Sequence, residues 1–285
     1  MPVKFFGQYL IEQGAITRDG LLKAVDLQEK VNLKFGDMAR SLGLITNADI
    51  ERVHDAQRIK DMQFGDMCLN LGIITREQMQ QVLAKQKSTH LFIGEALVKV
   101  KAISEADLAR HLAAFKTDQA PYDVQATAIP AGVPHTELME ITADLTYKIF
   151  SRVVNLNFRR GACTAITKLD RNDVVVAMRL QGLSEARYVL SVSAEVRDQI
   201  ARAILKETDL SREPREVLVD AVMELMNIIC GNIAAKAAQQ GQTIEIAPPE
   251  VVTGTLTVPA GGACIQFPLH MAEGRAEAAV LFGGI

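Results

Sequence analysis

Glu224 and Asn227 are the residues in this chain whose types and spacing could do chemistry. They sit in Asp220-Ala-Val-Met-Glu224-Leu-Met-Asn227-Ile-Ile-Cys-Gly231-Asn232. Asp220, Glu224, Asn227 and Gly231 are four, three and four apart, so a helix aligns them in one stripe. The residues between them are almost all apolar: Val222, Leu225, Met226, Ile228 and Ile229. Burying such polar groups unpaired would cost about 1–3 kcal/mol each, and more for a charge. Asn also disfavours helix interiors, because its side chain competes for backbone hydrogen bonds. Either the stripe is paired inside the fold or it faces a partner. A carboxylate one turn before an amide suits positioning work. The amide donates to and accepts from one water at once, while the carboxylate meets a cation. The plainer reading is structural, with both groups satisfied by backbone or by arginines. Asp220 reads as a solvated or capping residue, and Asn232 as a backbone partner beside Gly231.

The element that must position the pair is an apolar helical run from about Glu216 to Gln240. It lies in a rear segment of mixed pattern. Glu137–Leu156 has helical periodicity. Strands are expected at Ala162–Leu169, Asp173–Leu180, Arg187–Ser193, Thr243–Ile246, Val251–Val258, Ala263–Pro268 and Ala276–Phe282. A helix over Ala194–Lys206, with Ser193 as its cap, precedes the long one. Strands, two helices, then strands describe an α+β fold, with the helices on one face of an antiparallel sheet.

The first 116 residues hold a repeat. Gly7, Gly36, Gly65 and Gly94 are 29 apart, preceded by Phe6, Phe35, Phe64 and Ile93. Gly14, Gly43 and Gly72 follow seven residues on, with Lys101 in the fourth copy. Then come Ile16-Thr17, Ile45-Thr46, Ile74-Thr75 and Ile103-Ser104, and Gln28, Gln57 and Gln86 close three copies, with Phe115 in the fourth. Each copy reads as two short helices, the first ended by a left-handed glycine and the second opened by Thr or Ser. No proline falls between Pro2 and Pro121. One copy cannot bury its own apolar face, so the copies must pack on one another. The expected layout is an all-helical repeat module over 1–116, a linker over 117–135 marked by Pro121, Pro130, Gly132 and Pro134, and an α+β domain over 136–285.

Composition narrows the function classes. With 48% hydrophobic and 23% charged residues the chain fits a globular protein. A net charge of −3 gives neither half the basic excess of a nucleic-acid binder. Cys68, Cys163, Cys230 and Cys264 form no CxxC pair, and read as reduced, mostly buried thiols of a cytoplasmic protein. The five histidines show no metal-ligand spacing. No signal-peptide pattern is evident at the start, no Walker motif appears, and Glu224 interrupts the best candidate for a membrane span, so no membrane insertion is expected.

Two resemblances bear on function. From about Glu137 to Phe282 the chain resembles the CheX/CheC/FliY family of phosphatases acting on the chemotaxis response regulator CheY, and the CheX branch most. The resemblance rests on Glu224-x-x-Asn227, Gly231-Asn232, Pro249-Glu-Val-Val-Thr-Gly254 and Leu180-x-Gly182. It implies that Asn227 orients a water in line with the phosphoryl group on the regulator's aspartate, and that Glu224 pairs with the regulator's lysine. It also implies that the protein needs no cofactor of its own, because the Mg2+ belongs to the phosphorylated CheY-like receiver domain. Some members of this family pair through sheet edges, so a homodimer is an expected assembly.

The front copies resemble the MshEN-type domain of type II secretion and type IV pilus ATPases, in which some members bind cyclic di-GMP through tandem copies. Carried onto this sequence, that pattern assigns a nucleotide site to Lys34, Gly36, Gly43, Gln57, Gly65, Gly72 and Gln86. The family's arginine position holds Phe5, Lys34, Gln63 and Phe92 here, so Lys34 alone offers a cation. The architecture therefore resembles a nucleotide binder more than the chemistry does. The alternative is a helical interaction module in which the glutamines end helices at the surface and the phenylalanines are core. For the whole chain, the alternative to a phosphatase is a non-catalytic adaptor that binds a receiver domain, cyclic di-GMP, or both.

Overall fold

The computed structural model describes residues 3–122, 128–169, 171–182, 186–254, 256, 258 and 262–283. It divides into two compact units, Met1–Asp123 and Val124–Ile285.

The front unit is all helical. Its copies supply α1 (Phe6–Glu12) and α2 (Arg18–Val31), α3 (Phe35–Ser41) and α4 (Asn47–Ile59), α5 (Phe64–Asn70) and α6 (Arg76–Thr89), and α7 (Ile93–Lys99) and α8 (Glu105–Gln119). The second helix of each copy opens on its expected cap. Thr17 accepts from the Gly20 amide at 3.1 Å, Thr46 from Asp49 at 3.2 Å, Thr75 from Gln78 at 3.3 Å and Ser104 from Asp107 at 3.1 Å. Asp49 and Gln78 return bonds to the Thr46 and Thr75 amides, completing capping boxes. The turn between helices needs a left-handed residue. Gly14, Gly43 and Gly72 take it at φ +65, +70 and +66, and Lys101 takes it at φ +59 despite its side chain.

The copies do not stack in sequence order. The first packs with the fourth, through α1 on α8 and α2 on α7, and the second with the third, through α3 on α6 and α4 on α5. Each pair has its own core. One centres on Leu10, Ala24, Ala96 and Leu97, the other on Met38, Val53, Met67 and Val82. In the second pair the two phenylalanine rings lie 6.0 Å apart, and each covers the other copy's glycine, so that an added Cβ at Gly36 would sit 3.0 Å from Phe64 and one at Gly65 3.2 Å from Phe35.

The rear unit is α+β. It contains α9 (Thr136–Arg152), β1 (Arg159–Arg160), β2 (Thr164–Ile166), β3 (Val174–Gln181), β4 (Ala186–Val192), α10 (Ala194–Leu205), α11 (Arg215–Gln239), β5 (Glu245–Ile246), β6 (Glu250–Val251), β7 (Ala263–His270) and β8 (Ala276–Phe282). The sheet runs β1-β7-β8-β4-β3-β5, with β2 also on β7 and β6 also on β3, and every pairing is antiparallel. Alternate residues of the central strands, such as Val176, Met178, Tyr188, Leu190, Phe267 and Val280, join α9, α10 and α11 in one core. The other face is not bare. Val175, Ala177, Val189 and Ala279 lie under Val252, Leu256 and Val258.

Several boundaries differ from expectation for local reasons. The first helix stops at Arg152 rather than Leu156, because Val153 and Val154 are β-branched and Asn155 adopts a left-handed φ of 59°. The expected strand 162–169 shortens to β2, and β1 is an extra short strand. The expected strand 251–258 pairs only at its start. Beyond it, Val252 donates to Val175 O and Val258 to Thr167 O, while residues 255 and 257 lie outside the described ones. Ser193 stands at the start of α10, but its hydroxyl bonds the Glu195 carboxylate and accepts from the Arg275 amide instead of capping the helix.

Candidate functional site

The 25 residues of α11 span about 37 Å at a rise of about 1.5 Å each. Among described residues it is the one helix long and apolar enough to cross a membrane, with mean hydropathy 1.6 in its best window, yet 56% of that window is buried. Val222, Leu225, Met226, Ile229 and Ile233 face the core, and Leu218 packs with Ala201 of α10, which accounts for the apolar run. Its ends are tied down. Arg215 reaches Asp173 at 3.0 Å, Asp173 also pairs with Arg197 of α10, and Gln240 donates to Glu137 of α9 at 2.9 Å.

The polar stripe takes the remaining face. Asp220, Glu224 and Asn227 are exposed, and a Cβ added to Gly231 would meet nothing within 4 Å. The burial cost that made the stripe a puzzle is therefore not incurred. The Asn227 Nδ2 donates to Glu224 Oε2 at 3.1 Å. Reversing the amide would set its oxygen against the carboxylate, so the charge fixes its sense. The amide oxygen and the second N–H then point away from the helix's own glutamate. Among the described residues neither side chain bonds an arginine or the backbone. Asn232 is different: it is 6% exposed and donates to Ile228 O at 2.8 Å, a bond internal to the helix.

The flanking motifs have structural explanations. Gly182 follows β3 at φ +135, and a Cβ there would lie 2.2 Å from Thr243 O, so only glycine permits this approach of the chain leading to β5. In the Pro249–Gly254 segment, β6 pairs with β3, and Glu250 meets Arg187 at 3.3 Å.

The rear unit is an antiparallel sheet backed by three helices, the longest presenting a bonded Glu-x-x-Asn pair on its open face. Residues 174–270 match the family model described as chemotaxis phosphatase CheX, a span that includes Glu224 and Asn227. The rear unit is thus CheX-like. Similar solved structures include the chemotaxis protein CheX from Desulfovibrio desulfuricans, at 18% identity over 52% of this chain and 99% of that one, with a TM-score of 0.46. A CheC-like protein from Shewanella oneidensis is 24% identical over 51% of this chain and 97% of that one, with a TM-score of 0.44. A chain of the CheX–CheY–BeF3–Mg complex from Borrelia burgdorferi is 18% identical over 51% of this chain and 96% of that one, with a TM-score of 0.40. No curated protein matches the chain.

The front-unit residues of the expected nucleotide site are largely committed to structure. Gln57 donates to Met62 O at 2.7 Å and Gln86 to Leu33 O at 2.9 Å, and Gln28 does the same to Leu91 O at 3.0 Å. Each is half-buried and clasps the carbonyl just before the copy it packs against. They are clamps between copies, not surface helix ends. Gly36 and Gly65 lie under phenylalanine rings, while Gly43 and Gly72 form turns. Lys34 stands exposed before α3, and the surrounding protein lowers its ammonium's pKa, an effect Asp37 opposes. Sequence reading missed Asn32, whose side chain accepts from Leu91 N at 2.7 Å and donates to Leu91 O at 2.8 Å. It lies in the spacer, where no motif marks it. All four cysteines are buried, and burial raises the thiols of Cys68, Cys163 and Cys264 to about 11.

Proposed function

We propose that the rear unit hydrolyses the aspartyl phosphate of a CheY-type receiver domain, with the front unit as a regulatory or docking module. The observation that carries this reading is the Glu224–Asn227 pair, exposed and mutually bonded, inside the span that matches the chemotaxis phosphatase model. An aspartyl phosphate needs an in-line water and charge stabilisation more than covalent help. Asn227, oriented by Glu224, offers an acceptor and a donor to one water. Glu224 keeps a second carboxylate oxygen for a cation of the partner. The Mg2+ of the reaction belongs to the receiver substrate. A rigid helix tied at both ends holds such a pair better than a loop.

Phosphate release from a phosphorylated CheY-type receiver tests the reading. The wild-type chain accelerates release, and Asn227→Ala removes the acceleration by about 100-fold, the scale expected for losing a positioning group. Glu224→Gln acts mainly on the concentration of receiver required. Release no faster with the wild-type chain than from the receiver alone rejects hydrolysis. Binding that persists in that case assigns the chain to the adaptor reading. Calorimetric titration with cyclic di-GMP tests ligand binding by the front unit, and heat that disappears in Lys34→Ala supports it.

A further inference from the structure

We propose that the rear unit carries an anion-binding cavity for a soluble phosphate ester at the C-terminal end of α9. The cavity has a volume of about 290 Å3 and is lined by Tyr147, Lys148, Ser151, Arg152, Phe158 and Arg160, among others. Three of these are cations, and no lining residue is a carboxylate. Asp144, outside the lining, pairs with Lys148 and offsets one of the three.

A cation at a helix C-terminus is in itself ordinary, because it offsets the helix dipole. Arg152 in the last turn of α9 would serve that purpose alone. Arg160 is not explained so. It comes from β1, beyond the loop that follows the helix, and its guanidinium is set 4.8 Å over the Tyr147 ring centroid. The Tyr147 and Phe158 rings are 5.7 Å apart at 32° and supply an apolar wall. Tyr147 is 1% exposed, and its hydroxyl lies beside the buried Cys163 thiol. Arg160 makes no ion pair among the described residues, whereas Lys148 shares its charge with Asp144 at 2.7 Å.

Planar guanidinium groups meet phosphoryl oxygens two at a time, and Ser151 adds a hydroxyl donor. The Arg160 guanidinium, the Ser151 hydroxyl and the aromatic wall, with Arg152 beside them, fit a phosphoryl oxyanion attached to a flat or apolar group. The site is independent of Glu224 and Asn227, and its test does not use phosphatase activity.

The test is calorimetric titration of the full chain with inorganic pyrophosphate at about 0.15 M salt, where scattered surface charges are screened beyond about 8 Å. Saturable binding is expected in the wild type. Arg160→Gln weakens it about tenfold or more, the loss expected for a charge-assisted contact. Ser151→Asp, at an exposed helical position where folding is not at stake, weakens it at least as much by placing a carboxylate at the mouth. Absence of pyrophosphate binding to the wild type, or wild-type affinity retained in both variants, overturns the proposal. Sedimentation with phosphatidic acid vesicles, without pyrophosphate binding, overturns the soluble ligand and reassigns the cluster to a lipid headgroup. Loss of receiver binding alone in Arg160→Gln reassigns it to a protein partner.

Discussion

At the scale of single residues, similar side chains in this molecule do different work because of where the helix turns them. Glu224 and Asn227 are open to solvent, whereas Asn232, one turn further on, is buried and bonded back into the helix. The sequence set Asn232 apart as a backbone partner, and the packing of α11 decides which arc is covered. Lys101 gives a clean test of backbone chemistry. It holds the left-handed turn that glycine holds in the other three copies. Lys101→Gly should raise the front unit's stability by about 1 kcal/mol, and Gly72→Ala should lower it by a similar amount, in urea melts. His270 gives a pH test. Burial first, and then Arg159, lowers its pKa below the ordinary 6.5. The unfolded chain therefore takes up the proton more readily than the folded one. His270 costs no stability above the ordinary value and costs more as pH falls below 6.5 towards the lowered pKa. His270→Gln should flatten the decline in melting temperature between about pH 6.5 and pH 5. An unchanged slope would assign the acid sensitivity elsewhere.

At the scale of elements, the repeat was legible as helix boundaries but not as assembly. Thr46, Gly43 and their equivalents are local signals, and the caps and turns form where local chemistry puts them. Which copy packs on which is a long-range choice, and the repeat pattern does not specify it. The observed pairing of first with fourth rests on contacts such as Asn32 and Gln28 to Leu91, which join residues about 60 apart and leave no periodic trace. The glutamines were visible as a pattern, but their partners are backbone carbonyls, which every residue has. Gln86→Ala should therefore cost about 1 kcal/mol through the unpaired Leu33 carbonyl. Amide exchange at the start of α3 should rise with it. In the rear unit the long strands were legible, β5 lies inside the expected 243–246 and β6 meets the start of the expected 251–258, while β1 was not marked. The two-residue strands β1, β5 and β6 exist because a longer strand beside them offers its edge.

At the scale of the whole molecule, each unit holds its own buried clusters, and each has a glycine on which its packing turns. In the rear unit an added Cβ at Gly182 would strike the Thr243 carbonyl, and the φ of +135 suits no other residue. Gly182→Ala should cost about 3 kcal/mol or more, because neither a backbone oxygen nor the turn can yield cheaply. In the front unit, Gly65→Val would push into Phe35 and Met79, an overpacking cost of about 1–3 kcal/mol. Scanning calorimetry should resolve two transitions in the wild type, with Gly182→Ala lowering one and Gly65→Val the other. This separation also bears on function. If hydrolysis resides in α11 and the front unit only docks or regulates, heating Gly65→Val to between its two transitions should leave an Asn227-dependent release of phosphate from the receiver. Disappearance of that release together with the front unit's transition would show that the catalytic pair depends on the helical copies, and the division of labour proposed here would fail.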